Sequence, residues 1–224
     1  MAASVNMSRL LYCDMEGMMM RSGALIPAAG MSARMGSFKP LLRIDSVTMA
    51  ERLISVFRRS GVDEIIMVTG FQAERLECLL ADRGVLFLRN HNYAHSDMFD
   101  SAKLGLAYLI ERCDRILFTP VDVPLFSTET VASLLAVEAE LACPVFNGQR
   151  GHPLLLSSRI AAQLIRDNGE NGMRGAITRC GVDMTDVPVV DEGILYDADT
   201  PQDYEKLLEL HSRQQKAVPW IEKT

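Results

Sequence analysis

From Gly23 to Pro124 the chain repeats one pattern: a short apolar run, a turn, then apolar residues at helical spacing. That alternation constrains the fold more than any other feature. A strand followed by a crossover helix and a further strand builds a parallel sheet with right-handed connections. Gly23 to Ala28 reads as a buried strand, Val47 to Arg59 as a helix with Val47, Ala50, Leu53, Ile54 and Phe57 on one face, and Glu64 to Val68 as the next strand. Ala73 to Ala81 then reads as helix, Val85 to Leu88 as strand, Asp100 to Arg112 as helix and Arg115 to Phe118 as strand. The expected class is α/β, Rossmann-like and doubly wound, with a mainly parallel sheet.

The second half is less regular. Ser127 and Glu129 precede a helical run to Val137, and Leu141 to Phe146 and His152 to Leu156 read as short strands around Asn147-Gly148-Gln149-Arg150-Gly151. That is hairpin turn chemistry, so an antiparallel element is expected to be added to the sheet. Helices at Arg159 to Arg166 and Met173 to Arg179, strands near Met184 to Val189 and Ile194 to Ala198, and a helix from Pro201 to about His211 complete the reading. No repeat, linker or low-complexity tract interrupts residues 22–212, which predicts one domain there. Residues 1–21, rich in Met and without periodicity, read as a poorly ordered extension. Residues 213–224 read as a tail or linker, with Gln214 to Trp220 the kind of segment that leads to a C-terminal partner domain.

Charge and cysteine usage narrow the function. Twenty-three basic against 29 acidic residues give a net charge of -6, and no Lys/Arg-rich block is present. The electrostatic footprint of a nucleic-acid-binding protein is therefore missing, and any phosphate must be held locally. The five cysteines, at 13, 78, 113, 143 and 180, are scattered and never paired as Cys-x-x-Cys, which argues for reduced thiols over disulfides or zinc. Asp14 and Glu16 interrupt what would be the apolar region of a signal peptide, and no apolar run is long enough for a membrane span, so a cytoplasmic protein is expected.

The sharpest motif is Leu25-Ile26-Pro27-Ala28-Ala29-Gly30-Met31-Ser32-Ala33-Arg34-Met35-Gly36-Ser37-Phe38-Lys39-Pro40, a strand running into small residues and then one Arg and one Lys. Small side chains at Ala28, Ala29 and Gly30 let backbone N–H groups approach anionic oxygen, Arg34 offers a planar fork and Lys39 a point charge. Position strengthens the case, because open α/β sheets bind ligands beyond the C-terminal ends of their strands. Neither a Walker loop nor a Gly-x-Gly-x-x-Gly dinucleotide fingerprint fits. A Gly-bounded turn with two solvated cations is the alternative.

The string Ala28-Ala29-Gly30-x-Ser32-x-Arg34-Met35-Gly36-x-x-Lys39-x-Leu41-Leu42 resembles the signature of nucleotidyltransferases of the molybdenum-cofactor cytidylyltransferase type, within the nucleotide-diphospho-sugar transferase fold. The resemblance implies that the signature loop, including Met31 and Gly36, binds nucleotide. It further implies that an Asp after the fourth strand and an acid near the C-terminus hold Mg²⁺; Asp122 and Asp199 match these places, with a turn-forming role for Asp122 and a helix cap for Asp199 as alternatives. Gly151-His152-Pro153 is similar to the family's Gly-His-Pro segment, associated with cytidylyl transfer, and Ala29 points the same way because guanylyl-transferring relatives tend to carry Gly there. In the segment from Asn90 to Leu106, Met98, Ser101 and Gly105 keep their places, but Phe99 and Asp100 replace small or hydroxylic residues. Asp100 would repel phosphate unless a metal or Lys103 compensates; a helix-start role is equally open. Gly169 to Gly175 resembles an acceptor-side stretch, in which Arg174 is an anion contact or a solvated cation.

The reaction so implied moves a nucleoside monophosphate, CMP from CTP by preference, to a phosphorylated acceptor such as molybdopterin, with release of pyrophosphate. Such an acceptor is an anion near neutral pH and needs no general base. Methylerythritol phosphate and phosphocholine are alternative acceptors on this fold, although the isoprenoid enzymes generally carry Asp-Ala-Ala-Arg-Pro where this chain has Pro120 to Pro124. A non-catalytic nucleotide-binding module is the alternative from another class. Arg34, Lys39 and Asp122 are the expected catalytic residues, and Lys39 is expected to lie in solvent or against ligand.

Overall fold

The computed structural model describes residues 20–217. The chain enters at β1 (Ser22–Pro27), passes the signature loop and a hairpin, β2 (Arg43–Ile44) and β3 (Val47–Thr48), and continues into α1 (Met49–Arg59). Thr48 closes a capping box with Glu51, which is why α1 starts at Met49 and not at Val47 as its apolar spacing suggested. Then follow β4 (Glu64–Thr69), α2 (Ala73–Leu80), β5 (Leu86–Arg89), α3 (Met98–Leu109), β6 (Arg115–Phe118) and α4 (Thr128–Ala136). The second half supplies β7 (Leu141–Phe146), β8 (Gln149–Arg150), β9 (Leu154–Ser157), α5 (Ser158–Arg166), α6 (Gly172–Arg179), β10 (Thr185–Pro188) and α7 (Pro201–Ala217).

The main sheet runs β10-β7-β9-β6-β1-β4-β5, with β8 paired to β7. β1 is parallel to both β4 and β6, β4 to β5, and β10 to β7, whereas β9 is antiparallel to β6 and β7. The antiparallel element expected from the turn at 147–151 is therefore β9, a reversed strand set between the parallel strands β6 and β7, together with the two-residue β8, which pairs antiparallel with β7. Burial alternates along the strands: Ala24, Ile26, Ile65, Met67 and Leu117 pack with α1 and α4, while Leu25, Ile66, Val68, Ile116 and Phe118 pack with α3 and α5. This period of two places helices on both faces. A third cluster, Met35, Ile44, Met49, Leu125, Leu207 and Leu210, sits where α7 crosses the hairpin beside the signature loop.

Two expectations are corrected. The strand around Ile194 to Ala198 is instead a 3-10 turn over Glu192–Leu195, fixed by Asp191, whose Oδ1 accepts from the Gly193 N–H at 3.0 Å. The final helix continues past His211 to Ala217, because Leu207, Leu210 and His211 keep a buried stripe going and no helix breaker occurs before Pro219. The expected tail thus begins as helix at 213–217, and its remainder lies outside the described residues, as does most of the expected extension at 1–21. Among the described residues no helix is long and apolar enough to cross a membrane.

Candidate active site

A cleft of about 510 Å³ opens at the C-terminal ends of β1 and β6. Its floor is the start of the signature loop. The Ala28 N–H donates to the Val68 carbonyl at 2.8 Å and the Ala29 carbonyl accepts from Phe71 N–H at 3.0 Å, which fastens the loop to the end of β4. Gly70 makes this fit possible: a Cβ there would lie 2.6 Å from the Tyr93 Cβ and 2.8 Å from the Ala29 carbonyl oxygen. Farther on, Ser32 adopts φ 53° and its hydroxyl accepts from the Lys39 N–H at 3.1 Å, so the loop closes on itself just before the 3-10 turn Lys39–Leu41.

Lys39 reaches into the cleft. Its Nζ donates to Asp122 Oδ2 at 2.8 Å and to Asp199 Oδ1 at 2.6 Å, and its side chain is only 11% exposed. Burial alone would depress its pKa, but the hydrogen bond and charge of Asp122, then those of Asp199, outweigh burial and hold the ammonium above its ordinary value. Arg34, on the outer wall, pairs with Asp199 at 3.0 Å. The hydrogen bond and charge of Lys39, aided by Arg34, hold the Asp199 carboxyl below the usual carboxylate range against the effect of burial.

The two acids come from distant parts of the chain, and their segments are tied directly: Ala198 N–H donates to the Asp122 carbonyl at 3.0 Å. Asp122 follows β6 through Thr119-Pro120-Val121. Asp199 precedes α7 but does not cap it. Thr200 takes that role, its hydroxyl accepting from Asp203 N–H at 3.3 Å while Asp203 Oδ2 accepts from Thr200 N–H at 3.2 Å, which leaves Asp199 free for the cations. Asp197 also lines the cleft, and burial, then the charges of Asp199 and Asp122, raise its pKa. Among the described residues, no three His, Cys, Asp or Glu side chains form a metal-binding group.

His152 forms part of the wall near Asp122. Gly151 before it is required by space, since a Cβ would lie 2.4 Å from the Ile194 carbonyl oxygen. Burial lowers the His152 pKa, and its Nδ1 is buried without a hydrogen-bond partner. The opposite wall is the entry to α3. Asn90 organises it, its Nδ2 donating to Ser96 Oγ at 2.9 Å and to Ser101 Oγ at 3.0 Å. α3 starts at Met98 rather than Asp100, with Asp97 as its cap; Asp97 Oδ1 accepts from Asp100 N–H at 2.9 Å and Asp100 Oδ2 from Asp97 N–H at 3.1 Å. Asp100 thus serves the helix start, and the acid facing the cleft is Asp97.

Of the residues singled out in the sequence, Ala28, Ala29, Gly30, Ser32, Arg34, Lys39, Met98, Ser101, Asp122, His152 and Asp199 line this one cleft. Met31 and Gly36 face a neighbouring depression with Phe38 and Phe71 instead, because the turn at Ser32 directs them to the other side of the loop. Arg174 lies on α6, away from the cleft lining. Lys39 is not solvated, contrary to expectation, because two carboxylates surround it. Tyr93, Ser96 and Asp97 went unnoticed in the sequence, although Asp97 and Asp100 ahead of an apolar run are a legible capping box.

Residues 24–184 match the family model of the MobA-like NTP transferase domain. The chain belongs to this family. It is a nucleotidyltransferase of the MobA-like kind, and the sequence resemblance is borne out in its fold class. The chain is similar to the molybdenum cofactor cytidylyltransferase of Escherichia coli (strain K12), with 28% identity over 80% of this chain and 92% of that protein. Among solved structures, Rv0371c of Mycobacterium tuberculosis H37Rv superposes with a TM-score of 0.76 at 24% identity, over 85% of this chain and 98% of that one. A nucleotidyl transferase of Methanothermobacter thermautotroptrophicus superposes equally, with a TM-score of 0.76 at 22% identity over 87% and 99% of the two chains. These two likenesses carry the fold.

Proposed function

We propose that this MobA-like nucleotidyltransferase transfers CMP from CTP to a phosphorylated small molecule of the molybdopterin kind and releases pyrophosphate. The observation that carries the proposal is the convergence of Asp122 and Asp199 on Lys39, with Arg34 alongside, in the cleft beyond β1 and β6. The cytidylyl preference rests on Gly151-His152-Pro153, on Ala29 and on the likeness to the E. coli enzyme.

The donor set fits a magnesium ion. Asp122 and Asp199 already share one positive centre, the Lys39 ammonium, and two carboxylate oxygens are what Mg²⁺ commonly takes from a protein when phosphates and water supply the rest. When bound, the ion would neutralise phosphate charge. The chain's own residues bind and align. An acceptor phosphate oxygen forms the new bond to the α-phosphorus of CTP, the bond from that phosphorus to the bridging oxygen of the β-phosphate breaks, and pyrophosphate leaves with that electron pair. An acceptor that arrives ionised leaves no proton to be removed. Arg34, Lys39 and the N–H groups of the Ala29–Gly30 turn balance the charge that grows on the leaving group, and in-line placement supplies most of the remaining acceleration. Pyrophosphate release from each of the four nucleoside triphosphates, with magnesium and a phosphorylated acceptor, tests this; release is expected with CTP and to be lost in Asp122→Asn. Equal release from the variant would refute the proposed site.

A further inference from the structure

The strand order sets two side-chain clusters on opposite flanks of the signature loop. β6, which leads to Asp122, lies beside β1 on one flank; β4 and then β5, whose following loop leads to α3, lie on the other. Arg34 and Lys39 are the lysine and arginine side chains of the cleft, and both are committed to the Asp122 and Asp199 flank. A triphosphate tail drawn to them leaves the base for the α3 flank, where Tyr93 and Met98 offer apolar surface. The polar groups there are the hydroxyls of Tyr93, Ser96 and Ser101 and the Asp97 carboxylate, the one charged group among the described residues of this flank. The hydroxyls of Ser96 and Ser101 both accept from Asn90. Asp97 spends Oδ1 on the Asp100 N–H, and its Oδ2 takes no hydrogen bond from any described residue. His152, on the opposite wall beside Asp122, adds a ring whose buried Nδ1 has no hydrogen-bond partner among the described residues.

We propose that Asp97 is a specificity-determining residue whose second carboxylate oxygen accepts a hydrogen bond from the exocyclic amino group of the nucleotide base. The inference rests on the nucleotide reading of this cleft and deepens it. CTP and UTP differ at the relevant edge: cytosine presents an amino donor where uracil presents a carbonyl oxygen. An acceptor-only group therefore favours CTP and repels UTP. Asp100, whose charge looked unfavourable in the sequence, contributes by holding Asp97 in place through the helix-start box.

The test is calorimetric binding of CTP and of UTP, each with magnesium, to the wild type, Asp97→Asn and Asp97→Ser. Asn and Ser are both good helix caps, so α3 keeps its start, and a ratio of affinities within one protein cancels any general loosening. The wild type is expected to bind CTP at least about tenfold more tightly than UTP, and both variants to lose about tenfold of that ratio, as befits a charged hydrogen bond. Asp97→Asn is further expected to gain UTP affinity, since its amide can donate. A ratio left unchanged in both variants while the wild type prefers CTP would overturn this inference alone. A wild type that binds neither nucleotide, or prefers UTP, would overturn the cytidylyl reading as well.

Discussion

Lys39 carries a double burden. It is expected to meet phosphate, yet it also separates two carboxylates that would otherwise confront each other with Asp197 close by. Lys39→Ala should therefore cost stability as well as turnover: about 1–2 kcal/mol in folding, discounted for the partial exposure of Asp122 and Asp199, and about a hundredfold or more in rate. Divalent cation should then stabilise the variant more than the wild type, because the acids have lost their internal partner. Thermal melts with and without magnesium would show it, and an identical magnesium effect on both proteins would count against a shared site for ammonium and metal.

At the scale of elements, side-chain staples fix how helices meet. Asp167, just after α5, accepts from Arg179 on α6 at 2.6 Å, and its backbone carbonyl accepts from Lys103 on α3 at 2.6 Å. The Arg179 guanidinium, helped by the Gly169 N–H, pushes the Asp167 carboxyl down to about 2. A carboxyl depressed on folding contributes stability that is present above its unfolded pKa, about 3.9, and lost as pH falls through the folded value. Asp167→Asn should thus melt below the wild type at pH 7, with the gap closing between about pH 4 and pH 2. Melting curves across that range check this; a gap undiminished at pH 2 would contradict it. The same scale shows what could be read without coordinates. Strands and helices from 23 to 124 were legible because burial alternates cleanly between the two faces, and Asp122 and Asp199 because each sits in a recognisable string. The strand expected at Ile194 was not distinguishable from a turn, since the cause is a hydrogen bond from the Gly193 N–H to the Asp191 carboxylate. Nor could the sequence say that the loop turns Met31 and Gly36 away from the cleft, because left-handed backbone at Ser32 is not written in a serine, or that Gly70 is bare to admit Tyr93 and Ala29, because that is a contact between separate segments.

Across the whole molecule, α7 links places that the sheet keeps apart. Its first turn follows Asp199 at the cleft, Leu207 and Leu210 pack on Met35 and Met49, and His211 Nε2 meets Asp45 Oδ2 of the β2–β3 hairpin at 2.7 Å, an oxygen that Gln215 also reaches at 2.7 Å. Tyr204 adds a hydrogen bond to the Arg43 carbonyl. His211→Ala should lower stability by about 1–2 kcal/mol through lost packing and the lost hydrogen bond, and should weaken CTP binding measurably although His211 touches no part of the cleft. Chemical denaturation and nucleotide titration of the one variant separate the two effects, and unaltered nucleotide affinity would show that α7 only adds stability. Because one rod is bolted at its front to the acid and at its back to the hairpin beside the lysine's loop, a CTP-binding loss in His211→Ala would mean that tension applied at its far end reaches the cleft. A fusion partner, clipping protease or antibody acting on the last helical turns would then act as a remote brake on the enzyme.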